Sequence, residues 1–422
     1  MNTNKKKRIF IGVVDICGQV GDFKRAFERL GYKTFTLVFE RGEKYLSENK
    51  YSFVLNDLYP EFLIDCKNLF YLLIRKFYTF FFVNPLFFVI FFYSTLVCDI
   101  YIFIWLKNPR WKFLLWLLKK FHKKIFVMFV GSDVRWKPLA IQDFELNNIE
   151  YSPQFLATLV GSKVDLNSTL RTIRICEKYA DSISSTPDQS QLSLRPYICL
   201  GLPIDLLKIK FNIPNNKIPI VSLGITEPTF KGSYQILEMI KTFQETTFNK
   251  FKLIVIENIP HEEVLKILSV SDIFIYSPYG LSAGKFGYEA LASGTLLLTA
   301  HNANYVKYPP DPPVVDINSR SMIEKLDYYL KNPAEREKIV IKGRKWVEKY
   351  CNNEEIYNKI LLSLENHLYD IQPTFFRNYA KFDSEYDPSN ANEICNKWTS
   401  YVMKCRWYHK YIPKGERNGL IF

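Results

Sequence analysis

The sequence predicts an α/β protein of two doubly wound domains with a C-terminal extension. Three observations predict it. A chain of 422 residues is long enough for two ordinary cores. Residues 8–39 read as strand, turn, helix, strand, and residues 272–299 read the same way with a glycine loop at the turn. Such a unit covers an apolar parallel strand with its own crossover helix, the building step of a doubly wound sheet.

In order, Arg8 to Val14 is an apolar strand and Asp15 to Gly21 a turn containing Gly18. Asp22 to Leu30 is an amphipathic helix closed by Gly31, and Lys33 to Phe39 the next strand. The turn is not G-x-G-x-x-G, which gives a dinucleotide oxidoreductase poor support. Residues 77–97 carry no charge and are long enough to cross a bilayer. Against a span, Asn84-Pro85 interrupts the run, and a crossing would put the first strand and the Gly131–Arg135 loop on opposite sides. A buried or interfacial helix leading into a strand at Asp99 to Trp105 is expected. A helix at Trp111 to Phe121, a strand at Lys124 to Val130 and the loop Gly131-Ser132-Asp133-Val134-Arg135-Trp136 follow. The loop reads equally well as a turn aspartate with an arginine partner or as a functional loop. Arg171 to Tyr179 is a basic helix, and Asp181 to Ser185 and Tyr197 to Leu200 are strands. Ile213 to Pro219, with two prolines and two asparagines, is the natural linker.

The second domain opens with a strand at Ile220 to Gly224, the segment Thr226 to Lys231 and a helix at Ser233 to Phe243. Phe251 to Glu257 is a strand, and Asn258-Ile259-Pro260 turns into a helix whose first turn holds His261. Asp272 to Ser277 is a buried-type strand, and Leu281 to Gly287 a loop with Gly284 and Gly287 around Lys285 and Phe286. The helix through Glu289 to Ala292 stops at Gly294 before a strand at Thr295 to Thr299. Helices at Ser321 to Leu330, Glu335 to Tyr350 and Glu354 to His367 close the folded part. The division expected is 1–212, 213–352, a helix at 353–368 crossing back to the first domain, and an aromatic, basic extension at 369–422.

The Gly284–Gly287 junction has a specific physics. Unpaired N–H groups at a helix start sit at the positive end of the dipole and suit an anion. Glycines admit a ligand close to the backbone. Glu289, one turn inside, can accept hydrogen bonds from a diol. A plain crossover with a capping glutamate has the same spacing. Lys231, at a strand-to-helix turn, can neutralise a diphosphate or simply be solvated.

The run G-K-F-G-Y-E-A-L-A-S-G-T from Gly284 resembles the C-terminal motif of the family 4 (group 1) glycosyltransferases. The resemblance extends over most of residues 8–368 and implies the GT-B fold, two Rossmann-like domains facing across a cleft. It implies that Glu289 holds the nucleotide ribose, that Lys231 clamps the diphosphate, and that Ile259 and Pro260 hold the base. Gly284, Lys285, Phe286 and Gly287 fall on the donor side. The loop of Gly18 and Gly21, with Arg135, falls on the acceptor side, and Asp133 and Arg135 face the cleft. Three positions depart from the family. Leu281 stands where a first glutamate should handle the donor sugar, Val130 where a histidine commonly precedes Gly131, and a non-basic residue near Thr226–Glu227 where an arginine should be. The activity implied is retaining transfer of a sugar from a nucleoside diphosphate donor to a glycan or lipid-linked glycan, with no cofactor and no metal. Lys231 stabilises the leaving group in that scheme, and Asp133 is the candidate base should the reaction invert. The alternatives are a degenerate nucleotide-sugar-binding subunit and a membrane-surface interaction protein.

Composition fits these expectations. The formal net charge of +13 includes clusters at Lys5-Lys6-Lys7-Arg8 and at Lys119-Lys120 with Lys123-Lys124. They suit a phosphate-bearing substrate or an anionic membrane surface. No zinc-finger, RNP or basic-helix pattern supports a nucleic-acid partner. The eight cysteines form no C-x-x-C pair and read as free thiols of a reducing compartment. The start, MNTNKKKRIFIGVV, has no small-residue cleavage site, so no secretory signal is expected. The location expected is cytoplasmic, peripheral at the inner membrane face.

Overall fold

In the computed structural model, the described residues are 7–41, 50–64, 68–106, 111–131, 133–135, 144, 147–152, 166–186, 189–193, 196–226, 228–281, 283–303, 306, 308–366 and 370–371. Ser132, Trp136, Glu227 and nearly all of the 369–422 extension lie outside them.

Two parallel sheets organise the chain. The first runs β1 (Arg8–Val13), α1 (Gln19–Arg29), β2 (Lys33–Val38), β3 (Phe53–Val54), α2 (Glu61–Ile64), α3 (Leu69–Tyr78), α4 (Asn84–Val97), β4 (Ile100–Ile104), α5 (Trp111–Lys120), β5 (Lys124–Met128), α6 (Leu166–Tyr179) and β6 (Ser182–Ser184). Its strand order is β3-β2-β1-β4-β5-β6, and every pair is parallel. β1 and β4 are apolar on both faces, the pattern a sheet covered on both sides requires. One face carries a core around Phe10, Phe91, Tyr101 and Trp111. The other carries Ile9, Phe23 and Phe27 with Tyr357.

The second sheet is built from β7 (Ile220–Gly224), α7 (Pro228–Lys231), α8 (Ser233–Thr246), β8 (Lys252–Ile256), α9 (His261–Val270), β9 (Ile273–Ser277), α10 (Lys285–Ser293), β10 (Leu296–Thr299), β11 (Val315–Asp316), α11 (Met322–Lys331), α12 (Pro333–Tyr350) and α13 (Asn353–Asn366). Its order is β11-β10-β9-β7-β8, again all parallel. The helix α13 packs on the first domain: Tyr357 lies 4.6 Å from the Phe23 ring and 5.1 Å from Phe27, centroid to centroid. Asp205, in the segment between β6 and β7, is tied to α1 through Arg25 at 3.2 Å and Arg29 at 3.1 Å.

Two expectations are corrected. Tyr197 to Leu200 is not a strand. Its residues make only isolated bridges, Ser184 to Ile198 and Tyr197 to Ile371, and the Cys199 N–H donates to the Asp370 carboxylate at 2.8 Å instead of extending a ladder. Asn84-Pro85 does not interrupt the apolar run. A π-helical turn at Thr79–Val83 directly precedes it, and Pro85 is tolerated because the i→i−4 ladder is already interrupted there. The helical run therefore continues from Leu69 to Val97.

Gly294 ends α10 in the left-handed region at φ 95°, and a Cβ there would sit 1.9 Å from the Asn212 carbonyl oxygen. Gly294→Ala is expected to destabilise the protein by at least about 2 kcal/mol, from the left-handed penalty plus that clash. Denaturant unfolding measures it.

Candidate functional site

In a doubly wound sheet the ligand crevice lies at the carboxy ends of the strands, where the strand order reverses. In the second sheet that point lies between β7 and β9, whose carboxy ends lead into the Thr226–Lys231 segment and the Ser277–Gly287 loop. The carboxy end of β1 faces it. Lys285, at the start of α10, donates across the domains to the Cys17 carbonyl at 2.8 Å and to Asp22 at 2.5 Å.

Lys231 is held at the turn. Its ammonium hydrogen-bonds Thr226 Oγ1, donates to Tyr276 Oη at 2.6 Å, and lies 4.1 Å from the Tyr276 ring centroid. Its carbonyl accepts from Ser277 Oγ at 3.3 Å, which joins the two loops. Gly232 follows in the left-handed region at φ 59°, and a Cβ there would meet the Tyr279 ring at 2.8 Å. Thr226, near the position where the resemblance expects an arginine, supplies a hydroxyl and no charge.

Among the described residues no side chain caps the α10 N-terminus, which leaves its first N–H groups available to an anion or to water. The glycines there have a packing reason. A Cβ on Gly284 would meet Tyr276 Oη at 2.7 Å, and one on Gly287 would meet Ala283 at 2.7 Å and Leu297 at 3.1 Å. Phe286 turns inward, 4.6 Å from the Phe274 ring, and its edge fills the space a Cβ on Gly224 would need. Lys285 is engaged across the domains. Burial pulls its ammonium down, but Asp22 and then Glu289 outweigh that and hold its pKa above the ordinary lysine value.

Glu289 is buried one turn into α10, its Oε1 2.9 Å from His261 Nε2. His261 is the first residue of α9, and Pro260 is that helix's N-cap. The pair thus fastens the Ile259–Pro260 turn to the helix carrying Glu289. On the facing loop, Cys17 is open to water yet enclosed by the two domains. Desolvation pushes its thiol up, Lys285 and Lys231 pull it down, and Glu289 and Asp15 push it up. These groups therefore share one electrostatic neighbourhood. Gly18 caps α1 at φ 72°, while Gly21 is buried inside that helix. Asp15 accepts from the Val20 N–H at 2.9 Å and from the Tyr51 hydroxyl, bracing the loop.

The expectation that Asp133 faces the cleft is corrected. Its side chain is fully buried, and Oδ1 accepts from the backbone N–H groups of Gly131 at 2.9 Å and Val130 at 3.3 Å. The loop folds back on its own aspartate because Gly131, at φ 143°, permits the tight turn. Oδ2 is buried without a hydrogen-bond partner among the described residues. Burial raises the Asp133 pKa from 3.8 to about 6 against those backbone hydrogen bonds. Arg135 is half-buried, and its N–H donates to the Gly131 carbonyl at 2.8 Å.

This geometry predicts a pH dependence. A carboxyl whose folded pKa lies above its unfolded one stabilises the fold below about pH 4, and that contribution is lost as pH rises through about 6. The separation corresponds to roughly 3 kcal/mol. Asp133→Asn is expected to keep the acceptor and to flatten this slope. Denaturant unfolding at pH 4 and pH 7 measures the change.

Residues 238–361 match the family described as glycosyl transferase-like. No curated protein matches the sequence. Among solved structures, the chain is similar to sucrose-phosphate synthase from Thermosynechococcus elongatus, at 13% identity over 84% of this chain and 97% of that one, with a TM-score of 0.55. It is also similar to HepE from Anabaena in complex with UDP and glucose, at 10% identity over 86% and 100%, with a TM-score of 0.51. The fold is that of the GT-B glycosyltransferases.

In the second domain, the structure brings Lys231, Gly284, Lys285 and Gly287 to one crevice, with the Glu289–His261 pair behind the same helix start. Asp133 and Arg135 lie on the first domain's own loop, with Asp133 turned inward. Sequence reasoning did not find Tyr276, which holds Lys231, or Asp22, which takes Lys285. Nor did it find that His261 pairs with Glu289. The apolar run at 272–277 marked Tyr276 only as a strand residue, and nothing local marks a partner 263 residues away.

Proposed function

We propose that the chain transfers a sugar from a nucleoside diphosphate donor to a glycan or lipid-linked glycan acceptor, with retention and without a metal. The observation that carries this reading is the convergence of Lys231, held by Tyr276 and Thr226, with the uncapped α10 N-terminus at the switch point of the second sheet. A cation and a helix start together suit a diphosphate whose charge grows as the sugar leaves. Ile259 and Pro260 would take the base, and Glu289 the ribose hydroxyls.

The sugar C1–O bond to the diphosphate breaks while Lys231 and the N–H groups of α10 hold the leaving oxygens. The acceptor oxygen bonds to C1 on the same face, and its proton passes to a phosphate oxygen of the leaving group. No protein base is needed on this route, so Asp133 can remain a buried brace. HepE, solved with UDP and glucose, supports a nucleotide-sugar site on this fold. Among the described residues, Cys17, Cys98, Cys176 and Cys351 carry thiols rather than disulfides, which supports a cytoplasmic setting.

A second reading rests on Leu281. It is buried against Phe144 and Ile149, an apolar cluster where a sugar-binding glutamate is expected. That favours either an altered donor sugar or a subunit that binds nucleotide sugar without turnover. Incubation with UDP-, GDP- and ADP-sugars, followed by proton NMR of the anomeric signals, tests both. Release of nucleoside diphosphate with a retained anomer supports transfer. Tight binding with no release supports the second reading.

A further inference from the structure

The helical run from Leu69 to Val97 lies away from the donor crevice, and most of it is not covered by the described residues. It spans 29 residues, and its most apolar window has a mean hydropathy of 2.0 and is 28% buried. Its inner stripe, Val83, Phe87, Ile90, Phe91 and Ser94, belongs to the first domain's core. Phe91 lies 5.8 Å from Phe10 of β1 and 6.0 Å from Tyr101 of β4, ring to ring. A helix fixed to a sheet along this stripe does not leave it to cross a bilayer. At 1.5 Å per residue the run is about 44 Å long, well beyond a hydrocarbon core of about 30 Å.

The outer stripe is exposed and apolar, with Phe80 at 66% and Val89 at 64% exposure and Phe88 and Leu96 beside them. The patch continues onto α5 through the contact of Phe92 with Phe121 at 6.4 Å. There Trp116 is exposed, with Lys120 5.9 Å from its ring. Residues 68–98 contain Arg75 and Lys76 and no carboxylate. Residues 111–124 contain Lys112, Lys119, Lys120, Lys123 and Lys124, again with no carboxylate. Apart from Lys119, which pairs with Asp181 at 2.8 Å, these cations flank a broad apolar surface with an indole at its border, which matches the acyl and headgroup layers of an anionic bilayer.

The position of the patch matters. Phe39, just past the carboxy end of β2, lies 6.1 Å from Phe87 in the first turns of α4. The π turn and the α4 start are therefore at the same end of the sheet as the Gly18 loop. We infer that the outer face of residues 69–97, with α5, is a monotopic docking surface for an anionic lipid bilayer, and that it brings the acceptor side of the cleft to a lipid-borne acceptor. The docking stands on this surface alone, and only the acceptor's identity rests on the transfer reading.

Flotation of the purified full chain on a density gradient tests it, using phosphatidylcholine vesicles with and without about a third phosphatidylglycerol. Wild type is expected to float with the anionic vesicles, and less with neutral ones or at high salt. Phe80→Glu/Phe88→Glu and, separately, Val89→Glu/Leu96→Glu are each expected to lower vesicle binding by at least about tenfold. Circular dichroism and the thermal midpoint check that at least one pair folds as wild type does. Wild type that stays at the bottom of the gradient, or folded variants that float equally, would overturn the proposal. So would a wild-type dimer that these pairs dissociate while vesicles bind neither form, because the patch would then be covered by a second copy. None of these readouts needs turnover, so failure here is distinct from failure of sugar transfer.

Discussion

A Lys231→Ala variant is expected to lose about 10²- to 10³-fold in kcat for nucleoside diphosphate release, with a smaller change in KM. The argument is geometric. The ammonium is fixed by the Tyr276 hydroxyl at 2.6 Å, by Thr226 and by the ring face beneath it. On the proposed route its side chain would need little rearrangement when a diphosphate arrives, and would meet the charge that develops on the leaving group. The hydroxyls left behind can turn to water or to each other, so the thermal midpoint should move little. A variant whose kcat and midpoint both equal those of wild type would make Lys231 a surface lysine of no consequence to the reaction.

Glu289 gives the second large effect, and it separates binding from architecture. Glu289→Ala removes a buried carboxylate that would accept ribose hydroxyls and that holds His261 at 2.9 Å. Nucleotide affinity is expected to fall by about tenfold to a hundredfold, the range of one or two hydrogen bonds to a charged group. The fold should also lose roughly 1–3 kcal/mol, because a buried polar pair is broken. Glu289→Gln keeps one acceptor oxygen and turns the other into an amide donor, so it should fall between alanine and wild type in each measurement. Calorimetric titration and denaturant unfolding read the two effects separately. Alanine that costs stability but leaves nucleotide affinity unchanged would make the pair a structural fastening only.

The second domain's core unit was legible because its signals are local. Apolar runs with β-branched residues gave β9 and β10, and Gly294 marked the helix end that its left-handed conformation confirms. The first strand and helix were legible for the same reason, although α1 begins at Gln19 rather than Asp22 because Gly18 itself is the cap. Tyr197 to Leu200 misled because its apolar composition suits a strand, whereas an aspartate 171 residues away takes the Cys199 N–H.

What a glycine does in a site was legible only in part. Gly284 and Gly287 read as openings for a ligand, and the structure shows each also admitting a neighbour, the Tyr276 hydroxyl and the Leu297 side chain. Lys285 read as a donor-side cation, yet its ammonium joins the domains through Asp22. Such pairings depend on how two sheets face each other, and periodicity within one segment carries no information about that. The apolar run at 77–97 is the same kind of case. Composition cannot say which stripe packs on a sheet, and the Phe91 contacts with Phe10 and Tyr101 decide it.

The most direct test of the donor site is a calorimetric titration of UDP, GDP, ADP and CMP into the folded wild-type protein, repeated with the Lys231→Ala and Glu289→Ala variants. The structure predicts that a nucleoside diphosphate binds wild type and that both variants weaken it. A folded wild-type protein that binds none of them would contradict the assignment of the crevice between β7 and β9 as a nucleotide-sugar site.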